Sequence, residues 1–272
     1  MSKHPDEPKI YLLPNLMTAG NLCCGFFAIL TIFSGMREAY SGGSYDFSLA
    51  YEYYQTAIYL IFGSCIFDLL DGRLARLGGQ ESPFGQEFDS IADVVSFGVA
   101  PALLVSRAVL FDLNLDKLSW AIAFIYLLCG AMRLARFNCL ANLPPETKDR
   151  NNFRGIPIPM AAGFIASLTF LIIHFEESHS NLGVWNWALV AAMLGVAFLM
   201  ISNVKYPSFK RVDWKTKGSL GGILLGSLMM MLVFYDKTRW FMPTAIFTAY
   251  LVYGIVRHLF GKRTQEEDNK LS

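Results

Sequence analysis

Charge is scarce in this sequence. Only 17% of its 272 residues are Asp, Glu, Lys or Arg and 54% are hydrophobic, whereas a soluble globular chain carries about 25% charged residues. Histidine is scarcer still: His4, His174, His179 and His258 are scattered along the chain and supply no cluster of bases or ligands. The five cysteines, Cys23, Cys24, Cys65, Cys129 and Cys139, lie in or beside apolar runs without a CxxC spacing. That pattern suits small packing residues in membrane helices and argues against a disulfide set or a thiolate metal site. No linker, low-complexity tract or clear internal repeat divides the chain, which is read as one domain, 1–272, with polar tails at 1–11 and 261–272.

What the sequence does have is apolar blocks of roughly 17 to 22 residues, the length that crosses a hydrocarbon core about 30 Å thick. The expected fold is an all-α polytopic membrane bundle, with helices near 12–34, 55–75, 84–109, 119–138, 157–174, 184–202, 218–235 and 241–260. The first block is too long for a signal-peptide core and no small-x-small cleavage site follows it, so it is taken as a retained helix. Of the 23 Lys and Arg residues, 18 fall in the two termini and in alternate loops, leaving Arg37, Arg107, Lys117, Lys237 and Arg239 on the other side. The positive-inside rule then predicts eight spans with both termini in the cytoplasm.

Against this background the stretch "DLLDGRLARLGGQESPFGQEFDSIAD", 68–93, places four aspartates where helices enter the bilayer. An ionisable side chain there costs a few kcal/mol unless something compensates it. At 100° per residue Asp68, Asp71, Gly72, Ala75 and Arg76 share an arc of about 140°. A second helix is expected to start at Ser82 as N-cap and Pro83 as first residue. Along it Gly85, Asp89, Asp93 and Ser96 form a stripe about 80° wide. Two consecutive helices thus aim four carboxylates at one point near one membrane surface. Hard divalent cations relieve the repulsion, and an oxygen-only set favours Mg²⁺, Mn²⁺ or Ca²⁺ over zinc. Such a metal keeps positions open for phosphate oxygens, with Arg76 a fixed cation for a diphosphate. Gly72 and Gly85 let a ligand approach the backbone.

Written as D68-x2-D71-G72-x2-A75-R76-x8-G85-x3-D89-x3-D93, the stretch matches the signature of the CDP-alcohol phosphotransferases, which move a phosphatidyl or related group from a CDP-linked donor to an alcohol. "PNLMTAGNLCCG" (14–25), "EFDSIADVVSFGVAPA" (87–102), "RLARFN" (133–138), "FRGIPIPMAAG" (153–163) and "NVKYPSFK" (203–210) resemble the branch of that family whose acceptor is serine. The resemblance implies that Asp68, Asp71, Asp89 and Asp93 hold the metals, Mg²⁺ or Mn²⁺ and two ions per site, with Asp93 also taking the proton. It implies that Gly72, Arg76, Ser82 and Asn21 contact CDP-diacylglycerol, and that the protein is a homodimer in the cytoplasmic membrane with its site facing the cytoplasm.

If the acceptor is L-serine, its carboxylate needs a cation, and Arg133, Arg136 and Arg154 are available, with Asn138 beside them; the same arginines also suit topology or lipid headgroups. Glycerol 3-phosphate, an inositol phosphate or choline are alternative acceptors, the first two demanding a denser basic pocket. A divalent-metal transporter is the alternative of another class, but Arg76 beside the acids would repel a permeating cation. The basic segment 203–217 interleaves aromatics with Lys and Arg; beside a membrane this suits anionic lipid heads, and no nucleic-acid partner is expected. None of the four histidines is followed by Lys two positions later, so a covalent route through an H-x-K motif is missing and displacement is direct. Labelled donor incubated without acceptor should therefore leave no phosphatidyl group on the protein, as gel autoradiography after denaturation will show.

Overall fold

The computed structural model describes residues 11–41, 46–77, 82–110, 116–141, 153–178, 183–206 and 241–271. Helix α1 (Leu12–Ala39) is buried along Pro14, Thr18, Asn21, Gly25, Ala28, Ile32, Gly35 and Ala39. These positions alternate steps of four and three, the seam of two helices packed lengthwise. Most are small, which lets backbones approach where lipid removes the hydrophobic drive between helices. The main partner along the seam is α2 (Phe47–Leu77). It starts earlier than the expected 55 because Asp46 accepts the Ser48 N–H at 2.9 Å, as an N-cap does, and because Ala50, Tyr51 and Tyr54 are buried in its first turns.

A single rod follows: α3 (Pro83–Asp93) passes through a π-helical segment (Val94–Val99) into α4 (Ala100–Ala108). The widened turn has a local cause. Pro101 has no N–H to give the carbonyl of Phe97, four residues back. The buried Tyr126 hydroxyl, from the next helix, donates to that carbonyl at 3.1 Å. Then come α5 (Asp116–Ala141), α6 (Ile158–Ser178), α7 (Gly183–Ile201) and α8 (Met242–Leu271). Beside the helices lies one two-residue antiparallel pair, β1 (Phe153–Arg154) with β2 (Lys205–Tyr206). The polar tail expected at 261–272 is helical as far as Leu271. Helix α8 docks on α6 and α2: the Phe247 ring stacks on Phe62 with centroids 6.2 Å apart, and Thr244 Oγ1 donates to the Ser167 carbonyl at 2.9 Å.

The molecule is a helical membrane protein. Among the described residues, Leu12–Ala39, Pro83–Ala108, Lys117–Leu140 and Ile158–Phe175 have the length and apolarity to cross a bilayer, and Trp185–Ile201 is a shorter apolar helix. Large apolar side chains such as Phe26, Phe27, Phe124 and Phe198 are exposed on the outside of the bundle, where acyl chains take the place of a core. The expected helix at 218–235, and the basic segment after 206, lie outside the described residues.

Gly155 joins β1 to α6 with φ at 81°, its N–H donating to the Val204 carbonyl at 2.9 Å. A Cβ there would strike the Met200 carbonyl oxygen. Gly155→Ala should therefore cost about 1–3 kcal/mol, read as a lower Tm of the detergent-solubilised protein.

Candidate metal and phosphate site

The site is built where the end of α2 meets the start of α3. Asp68 and Asp71 lie one turn apart on α2, Asp89 and Asp93 one turn apart on α3. Ser82 sets the direction of α3: its side-chain oxygen accepts the Gly85 N–H at 3.0 Å, and Pro83 occupies the first helical position. The expected cap is therefore present. Carboxylate oxygens of Asp68, Asp71 and Asp89 all lie within 4.8 Å of one another. Hard oxygen donors at that spacing fit a divalent cation of the Mg²⁺ or Mn²⁺ type. Asp93 is not part of this trio; it is 5% exposed, like Asp71, whereas Asp68 and Asp89 are half-buried.

Helix α1 supplies donors to the two deepest carboxylates. Thr18 Oγ1 donates to Asp71 Oδ2 at 3.0 Å, and Asn21 Nδ2 donates to Asp93 Oδ1 at 3.1 Å. Asn21, expected at the nucleotide, is wholly buried, with its amide engaged on Asp93. Its backbone carbonyl accepts two further hydroxyls, Ser64 of α2 at 3.2 Å and Ser96 of the π segment at 2.9 Å. Gly25, one turn on, faces Ser96 so closely that a Cβ would overlap it, and this absence of a side chain lets α1 reach the acids. Thr18 and Ser64 are polar neighbours of the site that sequence reasoning did not single out, and Ser96, which it placed on the stripe with Asp89 and Asp93, had been given no role. Polar residues inside an otherwise apolar helix were the available signal.

The groups expected to hold the acceptor separate in space. Arg133 of α5 is half-buried and its guanidinium lies within electrostatic reach of Asp93 and Asp68. It also sits over the Phe137 ring, 5.8 Å from the centroid. Arg136 does something else: it donates to the Ile201 carbonyl at 3.3 Å and to Asn203 Oδ1 at 2.7 Å, so it caps the C-terminus of α7. Asn138 bridges α5 to α3, donating to Ser90 Oγ at 3.0 Å and Glu87 Oε2 at 3.4 Å while accepting from Gln86 at 3.3 Å. Gly72 follows Asp71 on α2 and is half-buried. The side chains of Arg76 and Arg154 lie outside the described residues, although α2 and β1 carry their backbones.

The model of the family described as CDP-alcohol phosphatidyltransferase matches residues 11–202, a stretch that contains every residue of the site. A protein of Helicobacter pylori named CDP-diacylglycerol–serine O-phosphatidyltransferase is 38% identical over 254 residues, 92% of each chain. A protein of the same name from Methanocaldococcus jannaschii is 36% identical over 202 residues, 74% of this chain and 84% of that one. The archaetidylserine synthase of Methanothermobacter thermautotrophicus is 33% identical over 203 residues, 74% of this chain and 70% of that protein.

The geometry separates ligand from scaffold. Asp89→Asn should weaken Mn²⁺ binding on the order of tenfold or more, whereas Arg136→Ala should leave it unchanged and lower the Tm. Mn²⁺ titration followed by electron paramagnetic resonance, beside thermal unfolding, checks both.

Proposed function

The chain belongs to the CDP-alcohol phosphatidyltransferase family, and from that premise we propose that it transfers the phosphatidyl group of CDP-diacylglycerol to the hydroxyl of L-serine, giving phosphatidylserine and CMP. The observation that carries this reading is the trio Asp68, Asp71 and Asp89, with oxygens within 4.8 Å of one another, standing beside a fourth carboxylate, Asp93, that is held separately. The names of the relatives point to serine as the acceptor.

Asp68, Asp71 and Asp89 are the residues that would hold Mg²⁺ or Mn²⁺, two ions by the family resemblance, which would supply charge neutralisation on the donor's diphosphate. Asp93, which the resemblance adds to the metal set, is outside this trio and is read as the base. Gly72, Arg76 and Ser82 take the CDP part of the donor: glycine admits the ligand to the backbone, and arginine offers a planar pair of donors to phosphate. The serine hydroxyl attacks the phosphatidyl phosphorus, the bond from that phosphorus to the CMP oxygen breaks, and the hydroxyl proton passes to Asp93. A metal-bound carboxylate is a weak base; the place of Asp93 outside the trio supports its part as the acceptor of the proton. Arg133 pairs with the carboxylate of serine, which its position beside Asp93 supports. Arg136 and Asn138 frame that pocket by tying α5 to α7 and α3.

The uneven distribution of Lys and Arg supports eight spans, both termini in the cytoplasm and a site facing the cytoplasm from the cell membrane. Homodimeric assembly rests on the family resemblance alone. The acyl chains stay in the bilayer, beside the exposed apolar faces of the helices.

Purified protein should release CMP from CDP-diacylglycerol only when both serine and Mg²⁺ or Mn²⁺ are present, and excess chelator should abolish the release. Arg133→Ala should raise the KM for serine about tenfold or more while the KM for the donor changes less. Faster release with glycerol 3-phosphate, inositol phosphate or choline than with serine would reassign the acceptor.

A further inference from the structure

Asn21 is an expensive residue to keep where it is. Its side chain is fully buried in an apolar bundle, and its Oδ1 has no hydrogen-bond partner among the described residues. A buried acceptor left unpaired weakens a fold. What the amide does have is one directed bond, from Nδ2 to Asp93 Oδ1 at 3.1 Å. An ionised Asp93 can only accept, so in that form the amide N–H is the donor.

The backbone of the same residue is held unusually firmly. Ser96 Oγ donates to the Asn21 carbonyl at 2.9 Å, and Ser64 Oγ shares its one proton between that carbonyl and the Leu60 carbonyl, each at 3.2 Å, so the π segment and α2 both meet α1 at the level of the acids. Ser96 is three residues past Asp93, on the widened turn that starts directly after it. Fixing Asn21 through its main chain fixes the amide, and the amide fixes one oxygen of Asp93.

We infer that Asn21 is a positioning residue: it holds Oδ1 of Asp93 by a hydrogen bond, leaving the other oxygen of that carboxylate to receive the proton of the acceptor hydroxyl. Asn21 acts through Asp93 and does not touch the nucleotide, which sets this role apart from donor binding. The inference deepens the proposed transfer reaction and rests on it for the identity of the reacting hydroxyl.

Asn21→Leu is the decisive variant, because it keeps the shape, exchanges one orphan acceptor, Asn21 Oδ1, for another, Asp93 Oδ1, and leaves the Asn21 main-chain carbonyl in place. Expected are a Tm near that of the wild type, since one buried orphan replaces another, a kcat lowered on the order of tenfold to a hundredfold, and KM values for donor and acceptor within about threefold. Mn²⁺ affinity, measured by electron paramagnetic resonance without substrate, should also stay within about threefold, because the trio is untouched. A lower Tm with kcat unchanged would make Asn21 a packing residue. A raised donor KM with kcat preserved would place it at the nucleotide, and Mn²⁺ binding lost as in Asp89→Asn would place its action on the trio; each of these results overturns the inference. If the leucine variant does not fold, Asn21→Ala is measured by the same four quantities with the same expected kcat and Mn²⁺ outcomes. Wild type and variants are assayed on whichever of serine, glycerol 3-phosphate, inositol phosphate or choline the wild type turns over fastest. A wrong acceptor then shows in the wild-type ranking, and a wrong role for Asn21 shows in the ratio of variant to wild type.

Discussion

Carboxylates whose oxygens lie within 4.8 Å of one another repel strongly when apolar helices surround them, since little water is present to screen them. Everything notable about this bundle bears on that repulsion. The acids stand on the last turns of α2 and along α3. Donors from α1 meet the two deepest of them. A guanidinium on α5 lies within electrostatic reach of three of them, Asp93, Asp68 and Asp89. Divalent cations would complete the compensation, and an all-oxygen set suits them.

The packing of α1 follows from the same requirement. To bring Thr18 and Asn21 against acids on two other helices, α1 has to approach both closely, and its seam of small residues permits this. Gly25 is the tightest point, facing Ser96 where no side chain fits. The π segment belongs to this arrangement as well. Pro101 takes away one helical donor, and Tyr126 and Ser96 bind the turn to α5 and α1. A perturbed stretch of helix is thereby held directly beside Asp93, the carboxylate proposed to take the proton.

Polar side chains that look alike in the sequence carry different duties. Arg133 and Arg136 are three residues apart on one helix, yet one faces the acids and the other closes the end of α7. Asn21 and Asn138 are both amides near the site, yet one holds a carboxylate and the other joins two helices. Burial and neighbours assign these roles, and residue type does not.

Periodicity within the chain was enough to read much of this. Apolar blocks of spanning length announce a helical membrane protein, and the i, i+3 and i, i+4 spacing of Asp68, Asp71, Asp89 and Asp93 places each pair on one face of its helix. The cap at Ser82 and the oxygen-only donor set also follow from local sequence. What periodicity leaves open is the neighbour each face meets. The bonds from Thr18 to Asp71 and from Asn21 to Asp93 join residues 53 and 72 positions apart, and no local spacing encodes such pairings. The early start of α2 was hidden because glutamate and tyrosine hydroxyls interrupt the apolar pattern of 47–54, while the cap at Asp46 and burial of Tyr51 and Tyr54 decide it. The sequence by itself determined which helices carry the acids and which faces they occupy, because helix geometry is a property of the chain. Only the tertiary structure decided that oxygens of Asp68, Asp71 and Asp89 gather while Asp93 takes a donor of its own, Asn21, because that depends on which groups the packed helices bring within hydrogen-bonding distance.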